Sequence, residues 1–264
     1  MRSVVILTVI LGLLAVFGPA LAPHAPNAID IPNRLAPPGD PYPLGTDAMG
    51  RCVLSRLLHG ASWSLGLAFL VSVIGLIVGS VIGLVAAMGG RLVDWIVMRA
   101  TDSFLAFPDL VAAVVIAGVL GAGTGSLVFA LTVTGWMRYA RVARGIGLSL
   151  GNRGHVIQAR LAGLSPAAIA RWHYLPALAP SLVVVWTGMF ARAILGISAL
   201  GFLGFGVQPP TPEWGTMLLD ARVHMRSTPL LMIWPGLAIV ATVLAINLTG
   251  DALRDSLAPQ ERPA

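Results

Sequence analysis

LGLAFLVSVIGLIVGSVIGLVAAM, residues 65–88, runs for 24 positions without a charged side chain. A helix of that length, at about 1.5 Å per residue, exceeds the roughly 30 Å hydrocarbon thickness of a bilayer. Within it Gly75, Gly79 and Gly83 recur at every fourth position, which places them on one helix face as two overlapping GxxxG patterns. A face without Cβ atoms lets a second helix approach closely, so the spacing predicts a packing seam. The rest of the chain agrees with a lipid environment. Apolar residues make up 56% and charged residues 11%, against about 25% charged in a typical soluble domain. The chain is therefore expected to be an all-α, polytopic membrane protein.

Working outward from that stretch, residues 4–21 form an apolar run behind Arg2. Its end, Ala20-Leu21-Ala22, resembles a signal-peptidase site. The run is long for a signal peptide, however, and Pro23 would follow the cut, so residues 1–22 are read as an uncleaved first transmembrane helix. Residues 23–64 are an extracytoplasmic part: a Pro-rich loop over 24–42, then an interfacial amphipathic helix over 49–64 with Val53, Leu54, Leu57, Leu58 and Ala61 at helical spacing. Residues 65–255 form the transmembrane domain. Its further spans are predicted at 104–120, bent or started near Pro108, and at 126–142, 179–205 and 230–248. A short amphipathic helix is expected around 213–224, in an outer loop, and residues 256–264 are a cytoplasmic tail.

Six spans put both termini on one side. With that side cytoplasmic, eleven of the 17 arginines lie inside, five outside and one, Arg192, within a span. Positive charge concentrates on the cytoplasmic side of membrane proteins, so the orientation is N-in, C-in. That bias also accounts for the net charge of +6 without nucleic acid as a partner.

Several functions are excluded by residue type. All 17 basic residues are Arg, and a P-loop needs a Lys to reach the nucleotide phosphates, so the chain has no Walker-type ATPase site. The single cysteine, Cys52, cannot form an intrachain disulfide, and the five histidines show no metal-ligand spacing. No metal site and no cofactor are expected. A membrane-embedded enzyme would want paired carboxylates, a His cluster or a nucleophile with its base inside the spans. Only Arg192 is clearly ionisable there, with Asp109 near an end. A channel would want a polar ring motif within a span, and none is evident.

The cytoplasmic segment 150–176 has the pattern of two short helices with defined ends. Residues 155–162 alternate at helical spacing, and Gly163 supplies a left-handed stop. Ser165 caps a second helix with Pro166 at its first position, where a missing N–H costs nothing. Pro176 is expected to end the unit before the next span. The apolar side of the first helix, with Val156, Ala159 and Leu161, needs either the membrane surface or a soluble protein against it.

HVIQARLAGLS (155–165), followed by Leu175-Pro176, resembles the EAA loop of ABC-importer permeases, with Gly163 and Pro176 at that pattern's spacing and with Ile157 and Gln158 departing from it. LGTDAMGR (44–51) followed by Leu54-Ser55-Arg56 is similar to a segment of the dipeptide, oligopeptide and nickel permease branch, Cys52 replacing its usual Asp. Further resemblances follow in order: Asp102 with Phe107-Pro108, Tyr139-Ala140-Arg141, Ser198 with FLGFG (202–206), Glu213-Trp214-Gly215, Pro235-Gly236, and NLTGDALRD (247–255). Asn27 to Asp30 and residues 213–222 look most like the nickel permease.

The resemblance implies a type I ABC-importer permease fold in the bacterial inner membrane. It implies as partners a second, related permease subunit in a heterodimer, two cytoplasmic ABC ATPases and an extracytoplasmic substrate-binding protein. ATPase coupling would fall to Ile157, Gln158, Ala159, Arg160, Gly163, Ser165, Leu175 and Pro176. The substrate would be nickel, in chelated form, with a peptide or another metal chelate as the alternative. Arg192 and Ser198 are the candidate pathway-lining residues. An Arg inside a span costs at least about 2.5–3.5 kcal/mol unless it meets water or a partner charge, so Arg192 either lines an aqueous path or pairs with a neighbour. On the outer loop Glu213, Asp220 and His224 share a helical face, as a solvated surface, a contact for the binding protein or a transient metal contact. Asn247, Asp251 and Asp255 are expected to fix the cytoplasmic end of the last span.

Overall fold

A computed structural model describes residues 2–257 of the 264, with side chains from Thr8 onward. The described chain is helical throughout, apart from turns, loops and one isolated bridge between Thr46 and Cys52. The helices are α1 (Arg2–Phe17), α2 (Val53–Met88), α3 (Gly90–Leu105), α4 (Asp109–Leu120), α5 (Thr124–Gly151), α6 (Gly154–Leu161), α7 (Pro166–Ile169), α8 (Leu175–Phe202), α9 (Trp214–Ala221) and α10 (Leu230–Leu257). The expected tail lies outside the described residues beyond Leu257.

Three helical runs are long and apolar enough to cross a membrane: α2, the continuous run Pro166–Phe202, and α10. Helices α3 and α4 qualify only together, as a pair bent by 86°. The bend follows from Pro108. It cannot donate to the turn behind it, and it biases Phe107 away from helical geometry. The polar stretch before that break, with Arg91, Asp94, Arg99 and Asp102, is itself helical, as α3. Helix α5 has the length to span but carries Arg138, Arg141 and Arg144 in its second half. The described apolar part of the first helix, Thr8–Leu21, is shorter.

The segment expected at the interface is the N-terminal end of α2, which is one unbroken 36-residue helix from Val53. It turns inward because it has protein to pack on. Ser62 donates to the carbonyl of Ala15 in α1, and Trp214 lies against Gly60 and donates through Nε1 to Leu57 O at 3.0 Å.

The glycine seam is where α2 meets α5. A Cβ on Gly79 would stand 2.7 Å from Tyr139 Cβ, and one on Gly83 2.8 Å from Ala143 Cβ. Both lie closer than side-chain carbons pack, so only glycine permits this crossing. Two buried clusters flank the seam. One joins the N-terminal half of α2 to α4, α5, α8, α9 and α10 through residues such as Leu65, Leu127, Ile194 and Trp214. The other joins Leu84, Tyr139 and Leu150 to Val156, Ile169, Tyr174 and Leu178.

Candidate functional site

A cavity of about 880 Å³ opens between α2, α4, α5, α8 and α10. Its wall is mostly apolar, with Ser72, Thr134, Tyr139 and Asn247 as neutral polar groups and Asp109 and Arg192 as its charges. Arg192 is brought there by α8. Its side chain is 57% exposed, and its Nη1 lies 3.8 Å from Asp109 Oδ2. Ser198, expected beside it, is placed elsewhere: it is buried, its main chain pressed against Gly215, and its hydroxyl finds no partner among the described residues. Asn247, expected as a fixing residue, is exposed toward the cavity instead.

Beside the cavity runs a ladder of three ion pairs. Arg138, Arg141 and Arg144 lie three residues apart on α5, which aligns them along one face. They meet Asp109, Asp102 and Asp94 of the bent α3–α4 pair. Arg138 Nη2 lies 2.9 Å from Asp109 Oδ2, Arg141 Nη2 2.6 Å from Asp102 Oδ1, and Arg144 Nη2 2.6 Å from Asp94 Oδ2, with a second contact through Nε. Such pairs contribute little between water-exposed partners, but close to lipid each neutralises a charge that would otherwise stand alone. The arginines read from the sequence as a topological signal are therefore also the fastening of α3 and α4 to α5.

Beyond the C-terminal end of α5, α6 and α7 form the expected hinged pair. Gly163 has φ +77°, a left-handed value that favours glycine. Ser165 Oγ accepts from Ala168 N at 3.2 Å, and Pro166 follows it at the start of α7. Pro176 does not end the unit. A π-helical turn over Ala170–Tyr174 carries the chain straight into α8. Such a turn accommodates the carbonyl that a proline leaves unbonded one turn earlier. The buried and free faces also differ from expectation. Val156 and Ala159 pack into the chain's own core, together with Ile169 and Tyr174, and Arg160 donates to Tyr174 OH at 3.2 Å. The free apolar face is formed by Ile157, Leu161 and Leu164, with Leu161 83% exposed. Gln158 and Leu175 are exposed.

The opposite end carries a stitched cap. Asp47 accepts from the main-chain N–H of Met49 and Arg51. The buried side chains of Arg51 and Arg56 gather on Asp47 and on Asp220, the latter at 3.5 and 4.0 Å. Gly50, at φ +75°, passes so close to the Asp30 main chain that no Cβ fits. Hydrogen bonds from Asn33 and Tyr42 hold the Asp30 carboxyl below its ordinary range. Glu213, Asp220 and His224 do not act together. Glu213 is fully buried and caps α9, whereas Asp220 serves the two arginines. Glu213 accepts from Gly215 N at 2.8 Å, Thr216 N at 3.0 Å and Ser64 Oγ at 3.0 Å. Burial nonetheless lifts its carboxyl above the usual range, those hydrogen bonds opposing it.

Among the described residues, no group of three or more His, Cys, Asp or Glu side chains is placed to hold a metal ion. What the cavity offers is a guanidinium in an apolar wall, suited to an anionic group rather than to a bare cation. Sequence analysis named Arg192 for the pathway, noted Asp109 only as lying near the end of a span and gave Asn247 a different role; all three line this cavity. The available signal was the matched series of three arginines on one helix and three aspartates on the two before it.

A family model described as a binding-protein-dependent transport system inner membrane component matches residues 79–263. A second, the N-terminal TM domain of oligopeptide transport permease C, matches residues 1–38. The chain is 40% identical over 262 residues to the nickel transport system permease protein NikC of Escherichia coli (strain K12), covering 98% of this chain and 93% of that one. It is 41% identical over 256 residues to the di/tripeptide transport system permease protein DppC of Pseudomonas aeruginosa (strain UCBPP-PA14), covering 95% and 84%. Its fold is similar to a chain of the MetNI methionine ABC transporter in an inward-facing conformation, with TM-score 0.62 at 20% identity over 77% of this chain and 97% of that one.

Proposed function

The chain belongs to the family of binding-protein-dependent transport system inner membrane components, and on that premise we propose how its parts divide the work of an ATP-driven importer. It is the permease subunit, with no ATPase site of its own; partner ATPases hydrolyse the nucleotide. The chain crosses the bacterial inner membrane six times, N-in and C-in, with α1, α2, the α3–α4 pair, α5, α8 and α10 as its crossings. It pairs with a second permease across the open side of the cavity. A substrate-binding protein docks on the cap that carries Asp47 and Asp220, and two ATPases dock beneath.

The observation that carries this reading is the hinged pair α6–α7. Its inner residues are locked into the core, while Ile157, Leu161 and Leu164 stand free. A free apolar face on a fixed lever needs a partner, and the family supplies an ATPase. ATPase closure pushes this unit, and the attached helices rock between inward-open and outward-open states. The test is co-purification with the co-expressed ATPase. Wild type brings it down, and Leu161→Asp does not while still inserting. Retention of the ATPase by Leu161→Asp would remove the lever from this role.

The substrate we favour is nickel carried as an anionic chelate. The similarity to a nickel permease supports the metal, and the cation on Arg192 supports the chelate. A di- or tripeptide is the second reading, favoured by the equally similar peptide permease and by the same guanidinium, which suits a terminal carboxylate. Uptake of nickel, nickel citrate and alanylalanine by the assembled complex separates them.

A further inference from the structure

One carboxylate in the cavity wall stands between two guanidiniums that do not share it equally. Asp109 Oδ2 is 2.9 Å from Arg138 Nη2, a hydrogen-bonded pair, but 3.8 Å from Arg192 Nη1, beyond hydrogen-bonding distance. Arg192 makes no hydrogen bond to the described chain, and its side chain is 57% exposed, against 39% for Arg138 and 34% for Asp109. The three groups sum to one positive charge. The fork of Arg192 is thus held in place by a nearby negative charge without being occupied by it.

We propose that Asp109 is a resident stand-in for a substrate carboxylate, and that an incoming carboxylate takes its place at Arg192 while Arg138 keeps hold of Asp109. The inference rests on the importer reading and adds to it two residues and an exchange. The physical reason is geometric. Guanidinium and carboxylate pair best through two parallel bonds, and Arg192 retains that capacity whereas Arg138 has already spent part of its own. After exchange each carboxylate has its own guanidinium, and the local charge falls to zero in an apolar wall, where an unbalanced charge is most costly. Asp109 also begins α4, directly after the break at Pro108. Its change of partner therefore acts on the joint of the bent pair. The carboxylate can come from a peptide C-terminus or from the organic ligand of a metal chelate.

The test uses the assembled transporter with a reporter cysteine at the cavity wall, Asn247→Cys, against a background in which the lone native Cys52 is buried. Alanylalanine, its C-terminal amide, citrate and nickel citrate are titrated as protectants against a water-soluble thiol reagent. At least one carboxylate-bearing probe is expected to protect and the amide is not; protection by the peptide or by the citrate species identifies the source.

Adding Asp109→Asn should lower the half-protecting concentration about threefold, and adding Arg138→Gln should raise it about as much, since Asp109 then leans wholly on Arg192. Arg192→Gln should abolish protection. Shifts in the same direction for Asp109→Asn and Arg138→Gln, protection by the amide, or protection surviving Arg192→Gln would each overturn the exchange. Uptake by the same complex is scored separately. A complex with ATPase bound that imports none of the probes sinks the importer reading. Import without these protection shifts sinks only the exchange.

Discussion

Replacing Glu213 by alanine should loosen the cap around α9 more than any other single truncation there. The carboxylate is fully buried, and it accepts two main-chain N–H groups of α9 and the hydroxyl of Ser64 on α2. Truncation lets the Ser64 hydroxyl rotate to another acceptor, but the N–H groups of Gly215 and Thr216 cannot turn. Each buried donor left without a partner costs about 1–3 kcal/mol, and the lost cap falls within the same range, so about 3 kcal/mol is expected. For a chain of this size that corresponds to a fall of roughly 6–12 °C in melting temperature. Cys52 is the natural reporter, since it is the lone cysteine, is 2% exposed and closes the cap just before α2. Detergent-solubilised protein heated with a thiol-reactive fluorophore should label at a correspondingly lower temperature in Glu213→Ala. Glu213→Gln, which keeps one acceptor oxygen, should fall between. A shift of less than about 2 °C for the alanine variant would mean that the cap is held by other contacts.

Burial raises the Glu213 carboxyl above its ordinary 4.5, so the folded chain favours its protonated form more than the unfolded chain does. Its contribution is then full below that value and is lost as pH rises through the folded one. Melting followed by tryptophan fluorescence should show this decline from pH 4.5 upward, and Glu213→Gln should lack it. Gly79→Leu should destabilise by about 1–3 kcal/mol through overpacking against Tyr139, whereas Gly66→Leu, with no atom within 4 Å of its Cβ position, should melt like wild type. Gly163→Pro removes both the left-handed φ and the N–H that bonds Arg160 O at 3.0 Å; membrane insertion should survive while substrate uptake is lost, checked by fractionation and transport side by side.

What was legible in the sequence was local. The four-residue glycine repeat announced the α2–α5 seam because small residues act at a fixed helical spacing. The stop at Gly163 and the cap at Ser165 are set by the few residues around them. The misreadings depended on distant partners. Residues 53–64 resembled a surface helix because Arg56 and His59 interrupt the apolar face. Arg56 is in fact received by Asp47, Asp220 and the Pro210 carbonyl, and His59 by the carbonyl of Ser55. Glu213 read as part of a solvated face because nothing nearby in sequence announces Ser64, which lies 149 positions away. Arg192 was seen as costly without its neutralising neighbour, since Asp109 sits on another helix beyond a break. Pro176 looked like a terminator because a π-helical turn has no simple sequence mark.

The 37-residue helical run from Pro166 to Phe202 joins the hinged pair to the cavity wall. Ser165 and Pro166 stand at its foot, and Arg192 lies 26 residues along it, about 39 Å at the usual rise. The run is a strut, so displacement and rotation applied at the foot arrive at the guanidinium in fixed phase. One alanine inserted between Leu182 and Arg192 should advance that phase by about 100°, swinging the cation off the wall while leaving the foot seated. Grip on the motor and grip on the cargo would then part company.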